Sequence, residues 1–155
     1  MSEDPFLETW NIHARINLYL LESVEPSALM TYSASKGRSV GEQFAHIHNV
    51  RLMWLKAAAP ALLRGLTKVE NHEAKDKKLL LKSLSDSGRA VWAMLGQAAT
   101  AGGKVKGFKP HVSAFLGYLI SHESHHRGQI MLSLKQAGHP VDKKIQYGIW
   151  EWGVR

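Results

Sequence analysis

The chain has no cysteine among its 155 residues. Thiol nucleophiles, disulfides and thiolate metal sites are therefore excluded, and histidine and carboxylate become the strongest metal ligands on offer. The redox compartment is not decided by this lack. No apolar run approaches the length of a membrane span. The start, Met1-Ser-Glu-Asp-Pro5, has neither the basic residues nor the apolar stretch of a secretory signal, so a cytoplasmic location is the expectation. No strand pattern of a length comparable to the helical ones is present, and neither is an internal repeat. Acidic residues are outnumbered, 13 against 20 Lys+Arg, for a formal net charge of +7. The basic excess gathers at Lys75 to Lys82, Lys104 to Lys109 and Lys143-Lys144, in mostly linker-like stretches without a nucleic-acid motif or basic-aromatic interleaving. A solvated, lysine-rich surface accounts for it better than a nucleic-acid partner.

What is present suits one compact domain over residues 1–155, because 45% hydrophobic content at this length supports a sizeable core. The pattern is helical throughout. A first helix runs from Pro5 or Phe6 to about Glu22, with Asp4 as N-cap, Pro5 at the first helical position, and a stripe of Phe6, Trp10, Ile12 or His13, Ile16, Leu20 and Leu21. The stretch from Val24 to Arg38 reads as a loop with one short turn. Ser39-Val-Gly-Glu42 is a capping box that opens a second helix through Phe44, Ile47, Val50, Trp54 and Ala58, ended by Pro60. After a linker from about Thr67 to Asp76, a third helix covers roughly Lys77 to Ala99 and stops at Ala101-Gly-Gly103. The fourth spans about Val112 to Ala137, closed by Gly138 as a left-handed cap and by Pro140. Four such helices imply a four-helix bundle.

The fourth helix carries Ser121-His-Glu-Ser-His-His-Arg-Gly-Gln129. Four residues of helix are about 400° of rotation and roughly 6 Å of rise, so His122 and His126 project one above the other from the stripe that holds Phe115, Leu119 and Ser133. That is the spacing at which two imidazoles reach one divalent ion, and a shared metal satisfies buried ring nitrogens that would otherwise be costly. A core role, each ring hydrogen-bonded to a neighbour, is the ordinary alternative. His125, rotated about 100° away toward Leu132, is the weaker ligand, suited to a supporting contact or to packing. In a bundle a third ligand comes from a facing helix, and the second helix offers His46 and His48. These lie about 200° apart, each bordering the apolar stripe, and rotation alone does not choose between them.

Ala45-His46-Ile-His-Asn-Val-Arg51 followed by His122-Glu-Ser-His-His-Arg-Gly-Gln129 resembles the DinB-like family, the second segment more specifically than the first. The resemblance implies an all-α four-helix bundle with a long crossover. It also implies one divalent metal ion held by three histidines, here His46, His122 and His126. Zinc and nickel are the foremost ions for three imidazoles, with iron, manganese and cobalt also admitted. Relatives include metal-dependent transferases of low-molecular-weight thiols and maleylpyruvate isomerases with a thiol cofactor, while many others have no known activity. The expectation is thus a metal-dependent enzyme that activates a small thiol or water on a small-molecule substrate. A metal-dependent hydrolase and a non-catalytic stress or small-molecule-binding protein are the alternatives. A homodimer is likewise expected from the relatives.

Several polar neighbours carry provisional roles. Glu42 is read as a cap that is also placed to orient His46 or act as a base, and Glu123, rotated about 100° from His122, is expected to be exposed. Arg51 falls on the apolar arc of its helix and requires an acidic partner. Arg127 is either a surface charge or a substrate anchor. Gln129, facing with the histidines, either binds a ligand or water or is a satisfied core amide. The aromatic tail Ile145-Gln-Tyr-Gly-Ile-Trp-Glu-Trp-Gly153 is expected to pack on one end of the bundle or on a second subunit, with a lid over the histidines as the sharper reading.

Overall fold

The computed structural model describes residues 4–155, so the acidic start at Met1 to Glu3 lies outside the described residues. Four long helices form α1 (Pro5–Ser23), α2 (Val40–Ala58), α3 (Lys77–Thr100) and α4 (Val112–Gln136), and a short α5 (Lys143–Gly148) follows. Among the described residues there is no strand beyond two isolated bridges, Tyr32 to Ser39 and Lys104 to His111. The local signals act as the sequence leads one to expect. Asp4 accepts from the Phe6 N–H at 3.0 Å and Pro5 opens α1. Ser39 Oγ accepts from the Glu42 N–H at 3.1 Å while Glu42 Oε2 accepts from the Ser39 N–H at 2.8 Å, which completes the capping box of α2. Gly138 takes φ 81° just past α4, a left-handed turn that a Cβ would strain.

α1 packs against α3 and α4, and α2 packs against the same two helices. α1 and α2 therefore stand on opposite corners of the bundle, and the 24–39 connection crosses the diagonal as the long crossover. No helix is long and apolar enough to cross a membrane.

Two apolar clusters stack along the bundle. One holds Leu20, Leu21, Phe44, Ile47, Leu80, Leu84, Ile130 and Leu134; the other holds Trp10, Leu55, Val91, Met94, Leu95, Phe115 and Leu119. Between them every long helix inserts buried polar side chains: His13 and Asn17 on α1, His48 and Arg51 on α2, Ser87 on α3, Glu123 and His126 on α4. Burying charge at mid-height is costly unless each group is paired and hydrogen-bonded, and here the pairing is extensive. Arg51 Nη1 donates to Leu84 O at 2.9 Å, its guanidinium lies 5.0 Å over the Trp10 ring, and Asn17 Nδ2 donates to Glu123 Oε2 at 2.7 Å.

The tail lies along α1 and does not cover the histidines. Arg155 stacks 3.8 Å over the Tyr19 ring and Arg15 donates to the Arg155 carbonyl at 2.8 Å. Ile149 is buried, whereas Tyr147 and Trp150 stay exposed at 73% and 76%. Helix α5 has no counterpart in the sequence reading, because six residues are too few to show a helical period.

Candidate metal centre

His46 projects from the second turn of α2 toward the middle of α4, where His122 and His126 stand one turn apart. The His46 ring centroid is 5.4 Å from that of His122 and 4.5 Å from that of His126, and the last two are 4.6 Å apart. One nitrogen from each ring lies within 4.8 Å of the other two. His122 Nε2 and His126 Nε2 face each other at 3.2 Å. Two imidazole nitrogens about 2.0–2.1 Å from one zinc at a tetrahedral angle stand about 3.3 Å apart, so this pair already has the spacing of a shared ion.

The tautomer of His126 is set by its surroundings. Its Nδ1–H donates to Gln43 Oε1 at 2.6 Å and to Gln129 Oε1 at 3.1 Å, which leaves the Nε2 lone pair turned toward His122. Orienting one ring nitrogen so that the other can ligate is the usual outer support of a metal-binding histidine. Gln43 lies one turn before His46 on α2, so the same helix supplies a histidine and the brace of the opposite one. His122 Nδ1 is buried with no hydrogen-bond partner among the described residues. Tyr118 stacks on the His122 ring at 6.3 Å and continues into an aromatic wall of Trp54, Phe108 and Phe115.

Electrostatics keep the imidazoles neutral. Burial pushes His46 down to about 4, aided by the Arg38 guanidinium and by His122. Burial likewise lowers His126 to about 4, helped by His46, His122 and His125. His122 is also lowered, chiefly by burial and against the pull of Glu123. Near neutral pH all three rings thus hold free lone pairs, the state in which imidazole binds a metal.

The structure brings together the three histidines that the family resemblance singles out and leaves His48 apart. His48 is buried on another face of α2, with Nε2 2.8 Å from Thr67 O. His125 is exposed and packs edge-on to His126 at 5.0 Å. Gln129 is exposed and bonded to His126, so it belongs to the site's edge and not to the core. Arg127 is no surface charge, because its Nη1 donates to Asn17 Oδ1 at 2.7 Å on the α1 side.

One sequence expectation is overturned. Glu123 is not exposed: it is 1% accessible, and it is the acidic partner that Arg51 requires. Its carboxylate also meets His13 Nε2 at 2.8 Å. The Arg51 guanidinium and His13 hold the Glu123 carboxyl below the usual carboxylate range in spite of its burial. Gln43, His13 and Asn17 were likewise missed as supporting residues.

Two facing helices that aim three neutral histidines at one point define a helical-bundle protein able to hold a metal ion. The model of the DinB family matches residues 1–148, and the chain belongs to that family. No curated protein and no solved structure matches it.

Proposed function

We propose that the protein is a metal-dependent enzyme of the thiol-transferase type, in which His46, His122 and His126 hold a divalent ion, zinc or nickel foremost, beside a small-molecule substrate. The observation that carries this reading is the convergence of three neutral imidazole nitrogens within 4.8 Å, with His126 already braced to present Nε2. Three neutral ligands leave the charge of the ion uncompensated and coordination positions open, a donor set that fits a catalytic more than a closed structural site.

When bound, the ion would supply Lewis acidity that lowers the pKa of a small thiol or of water toward neutrality. The chain's own side chains do the positioning. Gln43 and Gln129 fix the His126 ring, and Tyr118 with its aromatic neighbours stacks along the His122 side. With no cysteine in the sequence, the thiol arrives with the substrate or as a cofactor. Membership of the DinB family favours the thiol over water as the activated group.

Elemental analysis of untagged protein, alongside His46→Ala, His122→Ala and His126→Ala variants of confirmed fold, tests the centre. Near-stoichiometric metal lost in all three variants is the expected result. Turnover of an electrophile should then require added thiol. Turnover without thiol assigns a hydrolase, metal without any turnover assigns a binding protein, and no uptake of any divalent ion removes the reading.

A further inference from the structure

A cleft of about 470 Å³ opens beside His126, a size suited to a small molecule. Its walls are the 33–38 loop on one side and Gln43, His125, His126 and Gln129 on the other. The loop contributes two cations, Lys36 and Arg38, and no carboxylate lines the cleft. Neither cation makes a side-chain hydrogen bond or ion pair with another described residue. The loop is nevertheless organised. Lys36 is the one non-glycine among the described residues with positive φ, at 65°, and Ser33 Oγ donates to its carbonyl at 2.8 Å. A non-glycine residue in this region is uncommon and is kept only where its surroundings hold it.

The charge balance around the centre is one-sided. Glu42 caps the Ser39 N–H, and Glu123 is buried and bonded to Arg51, His13 and Asn17. A divalent ion on three neutral imidazoles, with two cations on the wall of the adjoining cleft, leaves positive charge that a single thiolate or hydroxide does not neutralise. The amide oxygens of Gln43 and Gln129 face His126, which frees their NH₂ groups as donors toward the cleft.

We propose that the cleft receives the anionic end of the substrate, a carboxylate or phosphate, with Arg38 as its main anchor and Lys36 as the second cation. The reacting end then reaches the centre past His126, the one of its three histidines that lines the cleft, and this half of the inference rests on the metal-centre reading given above. A guanidinium suits either anion, because its fork of N–H donors matches two oxygens at once. Arg38 is a positioning residue here, since it holds the substrate at a distance from the reacting atoms.

The test has two arms. In the first, inorganic phosphate and succinate are titrated by calorimetry into metal-free, full-length protein and into Arg38→Gln, Arg38→Lys and Lys56→Gln variants. Removing a charge-assisted contact should weaken binding by about tenfold or more in Arg38→Gln. Arg38→Lys should recover part of it, and Lys56→Gln, an exposed change elsewhere on α2, should match wild type. Preference for phosphate assigns a phosphorylated substrate, and preference for succinate a carboxylic acid. Equal affinity in wild type and Arg38→Gln, or no binding of either anion, overturns the proposal.

In the second arm, 3-mercaptopropionate and cysteamine, thiols of opposite charge, are titrated into cobalt-loaded protein while its absorption spectrum is followed. The anionic thiol should saturate at a concentration lower by about tenfold or more, and Arg38→Gln should shrink that difference severalfold, the remainder coming from Lys36 and the ion. Equal saturation by the two thiols in wild type counts against the anchor while leaving the metal centre intact. Failure to load cobalt, with Arg38-dependent anion binding preserved in the first arm, counts against the metal centre while leaving the anion cleft in place.

Discussion

The guanidinium of Arg51 grips the carboxylate of Glu123 through two bonds, Nε to Oε1 at 2.7 Å and Nη2 to Oε2 at 2.8 Å. Both side chains are 1% exposed, and the pair ties α2 to α4 at mid-height of the bundle. Glu123 directly follows His122, so this clamp sets the rotation of α4 about its own axis. The histidines then have one direction in which to point, toward His46.

Removing one partner of a buried pair strands the other charge, so Glu123→Ala should cost about 3–5 kcal/mol in urea denaturation. Replacing both, as in Arg51→Met with Glu123→Leu, should cost less than the sum of the two single changes. Additive losses would show that the pair is not coupled. Metal uptake should weaken in any folded Glu123 variant, since α4 loses its rotational stop.

Gln43→Leu removes the acceptor that receives the His126 Nδ1–H at 2.6 Å and keeps a similar volume. Metal affinity should fall by about 10–100-fold, the usual effect of losing such outer support. Competition with a chromophoric chelator measures it. Unchanged affinity would mean that the Gln129 contact at 3.1 Å suffices to orient the ring.

The metal-free protein should lose stability on mild acidification. Above pH 6.5 the folded and unfolded chains both carry neutral imidazoles, and His46 and His126 add no pH dependence. As pH falls from 6.5 toward 4, the unfolded chain takes up protons that the folded one refuses, so stability declines. Below that range the contribution of these two groups levels off, while the depressed Glu123 carboxyl adds a further loss that sets in as pH falls through the ordinary carboxylate value of 4.5 and continues down to its lowered one. Denaturation midpoints of chelated protein across the mildly acid range should fall more steeply in wild type than in a His46→Asn, His126→Asn double variant. Parallel profiles would show that burial does not depress these groups.

Gly41 is a second point of tight construction, because a Cβ there would stand 1.9 Å from the Ala74 carbonyl oxygen. Backbone cannot yield as a side chain does, so Gly41→Ala should destabilise by roughly 1–3 kcal/mol or more by thermal unfolding. Gly148→Ala meets the Tyr19 ring and hydroxyl, the nearest atom 2.3 Å away. That side chain can swing aside, and the loss there should be the smaller of the two. The reverse order would refute this ranking.

Helix ends were legible because each is written in adjacent residues: the Ser39–Glu42 box, the Asp4-Pro5 start and Gly138 all act locally. His122 and His126 were legible for the same reason, since a four-residue spacing is a property of one helix. The choice of His46 over His48 depends on how α2 faces α4, and only the family resemblance supplied it. Glu123 was misread because angular distance from a neighbouring histidine says which face a residue occupies but not what the opposite helix presents there. Its partner Arg51 is 72 positions away in sequence. The same pattern of a charge on an apolar arc that exposed Arg51 applies to Glu123 once the bundle's other helices are in view.

The 33–38 loop is stapled at its ends by the Tyr32 to Ser39 bridge and by the Val40 N–H to Thr31 O bond at 2.8 Å. Between those staples its side chains are largely exposed and carry none of the apolar core. The segment is therefore an exchangeable cassette: descendants of this scaffold are free to rewrite it, and with it the chemistry at the rim of the cleft, without renegotiating the helices that hold the histidines in place.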